Sequence, residues 1–290
     1  MNSVTRALRR FVSKLTGKNK VIYFVVLFLI CVVAICIAIY VQYFYKYYDT
    51  DPLMLGIHIG AKKTNEEYAS LKNNFNTLFT NDVRVNSENL KVDKINTSQN
   101  VVYTYNKVQN QDENYYDVDV KIPAINVNNE VAKRINSEII EKFDKTAKDI
   151  MTKAEGYTIY KVDYAAFVNN GVISVAIKER SKIGSKAETV KVTTYNYSIP
   201  NKSEISLTDL IKLKETSKEA VQEAITTTIE VQAEKNNDVA KEYGGLVRNP
   251  EDKMYLVENS KNYFLTDDGY VYIVYDYAEK NTNEIDIVIF

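Results

Sequence analysis

The stretch YDVDVKIPAINVNNEVAKRINSEIIEKFDKTAKDI, residues 116–150, decides the fold class. Apolar and polar residues alternate over its first seven positions, which predicts a strand with one buried face, closed by Pro123. The apolar residues then recur every three or four positions, which predicts one face of a long helix that ends near Gly156. They are Val127, Val131, Ile135, Ile139, Phe143, Ala147 and Ile150. This change of period within one stretch indicates an α+β domain.

More strands are predicted on both sides of this stretch. A short one at Val101–Tyr105 precedes it. Three antiparallel strands follow the helix, at 157–168, 171–179 and 188–199. The first two of these meet at Asn169-Asn170-Gly171, a turn that suits positive φ. Together these elements form a first predicted subdomain, residues 101–200.

A similar layout returns in residues 201–290, the second predicted subdomain. Two capping boxes, Ser206 with Asp209 and Thr216 with Glu219, predict the starts of two helices. The longer helix has one buried face, formed by Val221, Ala224, Ile225, Thr228 and Gln232. Two strands, 262–266 and 270–277, join at Asp267-Asp268-Gly269, and Ile285, Ile287 and Ile289 mark a last strand. We expect the two small antiparallel-sheet-plus-helix subdomains to share a sheet or to pack side by side.

Residues 21–45 form a run of 25 residues without a charge. As a helix, the run would be about 37 Å long, enough to cross the ~30 Å hydrocarbon core of a membrane. Residues 1–20 carry six Lys or Arg and no acidic residue, so the positive-inside rule places this basic tail in the cytoplasm and the chain after Tyr45 outside. A cleaved secretory signal is the main alternative, but the run exceeds a ~7–15-residue signal core and lacks a small-residue cleavage site. We therefore predict an uncleaved, single-pass anchor in the cell membrane.

Residues 46–100 are predicted to form a stalk between the anchor and the domain. Pro52 and Gly56 interrupt any helix that continues from the membrane. Thr64 with Glu67 is a capping box that predicts one short helix, and the residues beyond that helix are polar and lack a period. Such a stalk would lift a binding domain into a cell wall. Abundant Lys, Asn, Ile and Tyr without any Trp suggest an AT-rich genome, and with it a bacterium that has a single membrane.

The sequence gives little support for catalysis. His58 is the only histidine of the chain; no second histidine is available for a zinc site, and His58 has no partners nearby in the sequence for a catalytic role. Cys31 and Cys36 both lie in the predicted anchor, which leaves the outer region without a disulfide or a thiol nucleophile. No Gly-rich phosphate loop and no G-x-S-x-G motif is present. We therefore predict that the protein is not an enzyme, that it has no catalytic, metal-binding or cofactor-binding residues, and that it binds no nucleic acid.

Two carboxylate pairs are alternatives to that prediction. Asp117 and Asp119 would share one face of a strand, about 7 Å apart, which is a spacing that some hydrolases use. They alternate with Val118 and Val120, however, so the simpler interpretation is the solvent face of an amphipathic strand. Asp267-Asp268 is better explained by its turn.

Tyrosine is unusually frequent, with 23 residues. Tyr270 and Tyr272 share one face of a predicted strand, and Tyr275 and Tyr277 share the other. Exposed rows of this kind could bind a glycan or a protein. The alternative is that tyrosine is simply a good strand residue.

Several motifs resemble a known pair of domains. Val118–Pro123, followed by Ile135-Asn136, resembles the non-catalytic domain that precedes the catalytic domain of a membrane-anchored peptidoglycan deacetylase. Residues 195–211 and 263–269 are similar to the companion domain of unknown function that usually follows it. The same pair forms the extracytoplasmic, lysozyme-sensing region of a class of anti-sigma factors, which also have a short basic N-terminus and one membrane span.

The chain departs from this pattern in two places. Ile183–Glu188 stands where the family commonly has Gly-Gly-Ala-His, and Tyr277–Thr282 stands where Pro-Tyr-Ala-x-Gly is usual. No deacetylase catalytic domain is present, and the cytoplasmic tail is short for a sigma-binding domain, so a sigma factor as partner stays open.

These observations favour a sensing or binding protein over an enzyme. We expect the extracytoplasmic domain to bind a lysozyme-like protein or peptidoglycan, and the alternative is a cell-wall-modifying enzyme or an accessory subunit of one. The whole chain has a formal net charge of −1, so the basic tail leaves −7 on residues 21–290. That charge favours a basic protein as ligand, and it would repel an anionic wall polymer unless the charge is locally patched.

Overall fold

The computed structural model describes residues 65–79, 91–154 and 156–290. The predicted basic tail, the predicted anchor and His58 lie outside these residues. Within the described ranges, no helix is both long and apolar enough to cross a membrane.

The described residues fold into four α-helices and nine strands, an α+β architecture as predicted. The helices are α1 (Asn65–Leu78), α2 (Glu130–Lys153), α3 (Leu207–Leu213) and α4 (Lys218–Tyr243). The strands are β1 (Val102–Asp112), β2 (Tyr116–Ile125), β3 (Thr158–Asn169), β4 (Val172–Ile183), β5 (Thr189–Ser198), β6 (Ser203–Glu204), β7 (Asn262–Leu265), β8 (Val271–Asp276) and β9 (Ile285–Ile289). Short 3₁₀ turns lie at Lys253–Tyr255, Val257–Asn259 and Ala278–Lys280.

Two sheets and two long helices stack as four layers. The first sheet has the order β1-β2-β3-β4-β5-β6 and the second has the order β7-β8-β9. Helix α2 buries Ile135, Ile139 and Phe143 against one face of the first sheet. Helix α4 buries Val221 and Ile225 against the outer face of the second sheet. The remaining faces of the two sheets pack against each other.

Helix α2 connects the parallel pair of the first sheet, because β2 and β3 run parallel and the other neighbours run antiparallel. The parallel pairing ends at Val120. Farther along β2, the Asn136 side chain replaces the missing strand: it accepts a hydrogen bond from the Ile125 N–H (2.7 Å) and donates one to the Ile125 carbonyl (2.9 Å). The Ile-Asn pair of the sequence motif thus anchors α2, with Ile135 buried in the core and Asn136 bound to β2.

The prediction that Pro123 closes β2 is wrong, since the strand continues to Ile125. At Pro123 the strand has already lost its β3 neighbour, and a bulge between Thr104 and Asn106 interrupts the pairing with β1. The missing N–H of proline therefore breaks no regular ladder at this position.

The predicted turns are confirmed. Between β3 and β4, Asn170 and Gly171 have φ values of 48° and 74°, as the two central residues of a type I′ turn require. Gly269 has φ 90° in the β7–β8 turn. Helix α3 begins with the predicted reciprocal capping box of Ser206 and Asp209. Helix α4 begins one residue later than predicted, because the hydroxyl of Ser217, rather than that of Thr216, accepts from the Ala220 N–H.

Polar side chains of the first sheet hold β7, the edge strand of the second sheet. Thr194 accepts from the Tyr263 N–H (3.0 Å), and the Asn196 amide donates to the Tyr263 carbonyl (2.8 Å). The hydroxyl of Ser174 accepts from the Leu265 N–H (3.1 Å) and donates to Asn196 (2.7 Å). We call this set of contacts the seam.

Helix α1 is part of the same fold. Phe75 is fully buried and Phe79 is 4% exposed, in a cluster that both sheets share. The ring of Phe75 lies 6.4 Å from that of Phe264 and 6.5 Å from that of Tyr272. This finding differs from the sequence prediction, which made residues 46–100 a stalk: the short helix exists, but it packs into the core. Residues 96–100 are also held, because the buried Asn126 side chain bonds to their backbone.

We expect Phe75→Ala to lower the free energy of unfolding by about 3–5 kcal/mol, the usual cost of deleting a buried ring. Urea unfolding of the full-length protein in detergent, followed by far-ultraviolet circular dichroism, measures this change. Asn73→Ala on the exposed side of the same helix is the control and should change stability by less than about 0.5 kcal/mol. A Phe75→Ala protein as stable as the unaltered one would show that α1 adds nothing to the domain.

Candidate functional site

Asp117 and Asp119 lie on the face of the first sheet that points away from α2. We call the polar part of this surface the strand face. Its members are Lys107, Gln109 and Gln111 on β1, Asp117, Asp119 and Lys121 on β2, Lys161 and Asp163 on β3, and Lys178, Arg180 and Lys182 on β4. All of them are exposed or partly exposed, in agreement with the amphipathic-strand interpretation.

Lysines, rather than a candidate nucleophile, surround the two carboxylates. Lys161 lies 3.1 Å from Asp117, and Lys121 lies 3.2 Å from Asp163 on the neighbouring strand. One carboxylate oxygen of Asp119 is buried without a hydrogen-bond partner among the described residues. The arrangement of carboxylates and lysines can hold a charged ligand in place.

Asp267 and Asp268 serve the turn between β7 and β8, as predicted. The Asn169 side chain donates to the Asp267 carbonyl at 2.7 Å, which ties this turn to the end of β3. The Thr266 hydroxyl contacts the Asp268 carboxylate and accepts from the Tyr270 N–H at 3.1 Å.

The hypothesis of exposed tyrosine rows is wrong for most of the residues that suggested it. Tyr272, Tyr275 and Tyr277 are 6%, 4% and 2% exposed. Tyr272 packs between the sheets, and the other two pack under α4. Strand β8 is buried on both faces, so its tyrosines belong to the core.

Sequence reasoning missed a buried charge cluster between the end of α4 and β9. The Arg248 guanidinium bonds to Asp286 at 2.6 and 3.2 Å and to Glu284 at 2.5 Å. The Tyr277 hydroxyl donates to Asp286 at 2.5 Å, so the Tyr255 hydroxyl, 2.8 Å away, is the donor to Tyr277. One sequence signal could have pointed to this cluster, namely a carboxylate, Asp286, in an otherwise apolar terminal strand.

Burial and neighbouring charges determine the protonation states of Arg248 and Tyr277 in this cluster. Burial alone would lower the pKa of Arg248, but the hydrogen bonds and charge of Asp286, followed by those of Glu284, raise it. Burial, with the adjacent Asp286 carboxylate, also raises the pKa of Tyr277. Arg248 therefore stays charged and Tyr277 stays neutral at any physiological pH. The hydrogen bonds of the cluster tie the end of α4 to β9.

An acidic groove runs along the outer side of α4. Its volume is about 670 Å³, and it is lined by Lys218, Glu219, Gln222, Glu223, Thr226, Thr227, Glu230, Leu256 and Glu258. Four glutamates and one lysine give this lining a net charge of −3. The spacing of Glu219, Glu223 and Glu230 places them on one side of α4, and this pattern can be read from the sequence. Glu258 lies outside α4, so the sequence does not indicate that it lines the same groove.

Gln222 joins the two walls of the acidic groove. Its amide donates to the Tyr255 carbonyl at 3.0 Å, and its carbonyl accepts from the Val257 N–H at 2.9 Å. Lys218 lies 3.0 Å from Glu258 across the groove, and this hydrogen bond lowers the pKa of Glu258. Within the described ranges, no cluster of three or more His, Cys, Asp or Glu residues could hold a metal ion.

We expect Arg248→Met to lower the free energy of unfolding by about 3–5 kcal/mol, because it removes the cation that neutralises the buried Asp286 carboxylate. The double variant Arg248→Met with Asp286→Asn should regain at least half of that loss, since the remaining amide is neutral. Urea unfolding measures both. Arg134→Met, which removes an exposed guanidinium from Glu138 and Glu204, should cost less than about 1 kcal/mol. A single variant no weaker than this control would contradict the role of the cluster.

Lys178 generates a pH-dependent prediction. Burial, followed by the neighbouring Arg180, lowers its pKa to about 8. A lysine with a lowered pKa destabilises the folded state below pH 8, and this effect disappears as pH rises towards the unfolded-state value of ~10.4. Lys178→Met should therefore gain about 1–2 kcal/mol relative to the unaltered protein at pH 7, and the gain should vanish near pH 10.5. Urea unfolding of both proteins across this range tests it, and a difference independent of pH would refute it.

No known protein family matches the sequence, and no curated protein does either. The solved structures that are similar to this chain include two proteins of the DUF3298 family. A DUF3298 family protein from Pseudomonas aeruginosa PAO1 is 13% identical, with a TM-score of 0.38, and the match covers 63% of this chain and 88% of that one. A member of the same family from Bacteroides fragilis is 11% identical, with a TM-score of 0.31, and the match covers 66% of this chain and 92% of that one.

Proposed function

We propose that this chain is a single-span envelope protein whose extracytoplasmic domain binds a basic protein of the lysozyme-like kind through the acidic groove. The observation that carries the proposal is the net charge of −3 on one open groove with an apolar residue in its lining. The apolar, uncharged run at residues 21–45 supports the membrane anchor, and the basic residues before it support a cytoplasmic N-terminus. The resemblance to lysozyme-sensing anti-sigma factors supports the class of ligand.

The groove suits a protein surface that presents Lys or Arg beside an apolar side chain. Leu256 is 37% exposed at the groove, so it offers an apolar contact in the middle of acidic groups. Charged groups around such a contact speed association and select the partner, while the apolar contact adds to affinity. A cationic protein would meet this surface favourably, and an anionic one would be repelled.

The rigidity of the groove also favours binding. The side-chain amide of Gln222 on α4 bonds to the backbone of both 3₁₀ turns, through its N–H to Tyr255 and through its oxygen to Val257. The side chains of Val221, Ile225 and Ile229 behind it are fully buried. A preformed surface loses little conformational entropy when a ligand binds.

The test uses the full-length protein in phosphatidylcholine nanodiscs, with hen egg-white lysozyme as the ligand. We expect micromolar or tighter binding that weakens as salt rises. Lysozyme whose lysines have been succinylated keeps a similar size and reverses the charge, so it should not bind. Glu223→Lys with Glu230→Lys should weaken binding at least about tenfold, or about 1.4 kcal/mol.

The matched control is Glu113→Lys with Glu141→Lys, which changes the net charge equally at exposed positions outside the groove. This variant should stay within about threefold of the unaltered protein, since distant charges are screened. Equal losses of lysozyme affinity in the two variants would show that only the overall charge matters, and they would overturn the proposal. Release of acetate or sugar from purified wall, lost in Asp119→Ala, would instead support the enzyme alternative.

A further inference from the structure

The strand face carries an excess of positive charge on an acidic protein. Six Lys or Arg residues stand against three Asp residues, which gives a local net charge of +3. The chain as a whole has a net charge of −1. The charge of this domain is therefore segregated, with the basic strand face on the first sheet and the acidic groove on α4.

Two pairs of like charges face each other across neighbouring strands. Lys107 lies opposite Lys121, and Lys161 lies opposite Arg180. Like charges directly opposite each other on one face of a sheet are destabilising. The nearby carboxylates do not fully relieve this, because Asp117 and Asp163 are already paired with Lys161 and Lys121.

Four cations of the strand face are left without an ion-pair partner among the described residues. They are Lys107, Lys178, Arg180 and Lys182, and of these Lys178 bonds instead to the side-chain amide of Asn76. Lys178, Arg180 and Lys182 follow each other along one face of β4 at intervals of about 7 Å. Such a straight row of positive charges is complementary to a linear polyanion.

The shape around the strand face favours a polymer over a flat surface. On the same side of the first sheet, the second sheet covers Ala165, Phe167 and Ala176. Since stacked sheets lie about 10 Å apart, the second sheet stands about one layer above the strand face. Helix α1 adjoins the strand face too, because Lys178 bonds to Asn76 and lies over the Phe79 ring. Because the second sheet rises above the strand face, a flat bilayer cannot contact the strand face beside it, whereas a single polymer chain can lie along it.

We propose that the strand face binds a linear phosphodiester polymer of the teichoic-acid type, with Lys107, Arg180 and Lys182 as its main contacts. Each contact releases counter-ions from the polymer, so the affinity falls steeply as salt rises. The site is separate from the acidic groove, and its occupant has the opposite charge. The overall negative charge of the outer region does not prevent this binding, because only the local field at the strand face meets the polymer.

The test measures binding of lipid-free poly(glycerol phosphate) to the full-length protein in phosphatidylcholine nanodiscs. Every protein in the test carries Gln at the six Lys and Arg positions of residues 1–20, so that the basic tail does not bind the polymer. The triple variant Lys107→Gln, Arg180→Gln, Lys182→Gln should bind at least about tenfold more weakly at 0.1 M salt and should depend less on salt. The control triple Lys145→Gln, Lys235→Gln, Lys261→Gln removes the same charge from exposed positions elsewhere and should stay within about threefold.

Each outcome decides the proposal. A loss confined to the strand-face triple, with unchanged lysozyme binding and an unchanged circular dichroism spectrum, supports it. Equal losses in both triples, or no binding of the polymer at all, overturn it. Binding to phosphatidylglycerol vesicles without binding to the polymer would also overturn it and would identify a lipid surface as the partner. Loss of lysozyme binding in the strand-face triple would show that the two surfaces are one site and would overturn it as well.

Discussion

Strand β7 has no neighbouring strand on its outer side, and the seam satisfies its backbone there with side chains. Thr194, Asn196 and Ser174 project from the first sheet and bond to backbone groups of Tyr263 and Leu265. A buried edge strand without these partners would leave several polar groups unpaired, each at a cost of about 1–3 kcal/mol. A slip of β7 by one residue would break all of these bonds and turn Phe264 out of the core. The seam therefore fixes how the two sheets stack. That stacking forms both the cluster in which α1 packs and the sheet surface that α4 covers.

Local patterns in the sequence predicted much of this fold because each depends on neighbouring residues. The alternation in β2, the helical period of α2, the Asn170-Gly171 turn and the Ser206 capping box all follow from short-range geometry. The docking of α1 did not follow, since the spacing of Phe75 and Phe79 predicts a helix without saying what that helix packs against. The cluster at Arg248 was equally hidden, because its partner Asp286 lies 38 residues away in the chain and no local rule joins them.

In the candidate site, too, local features were predicted from the sequence and contacts between distant residues were not. The sequence placed Asp117 and Asp119 on the solvent side of a strand, and the structure agrees. It could not show that Arg180 of another strand lies opposite Lys161, because strand register between distant segments is a property of the whole sheet. Several residues of the sequence motifs, including Asn136 and Asn196, have structural tasks in the fold. Their side chains bond to backbone, so the fold alone gives these residues a role.

Net charge is a poor guide to what such a layered domain binds. The summed negative charge of residues 21–290 suggested that an anionic polymer would be repelled, but screening over roughly 8–10 Å makes each surface respond to its own groups. The acidic groove belongs to α4, which packs on the second sheet, and the strand face belongs to the first sheet. The seam joins those sheets through backbone bonds, and the Arg248 cluster ties the end of α4 to β9. The two proposed surfaces therefore lie on different elements of the domain, so a ligand at one of them need not displace a ligand at the other.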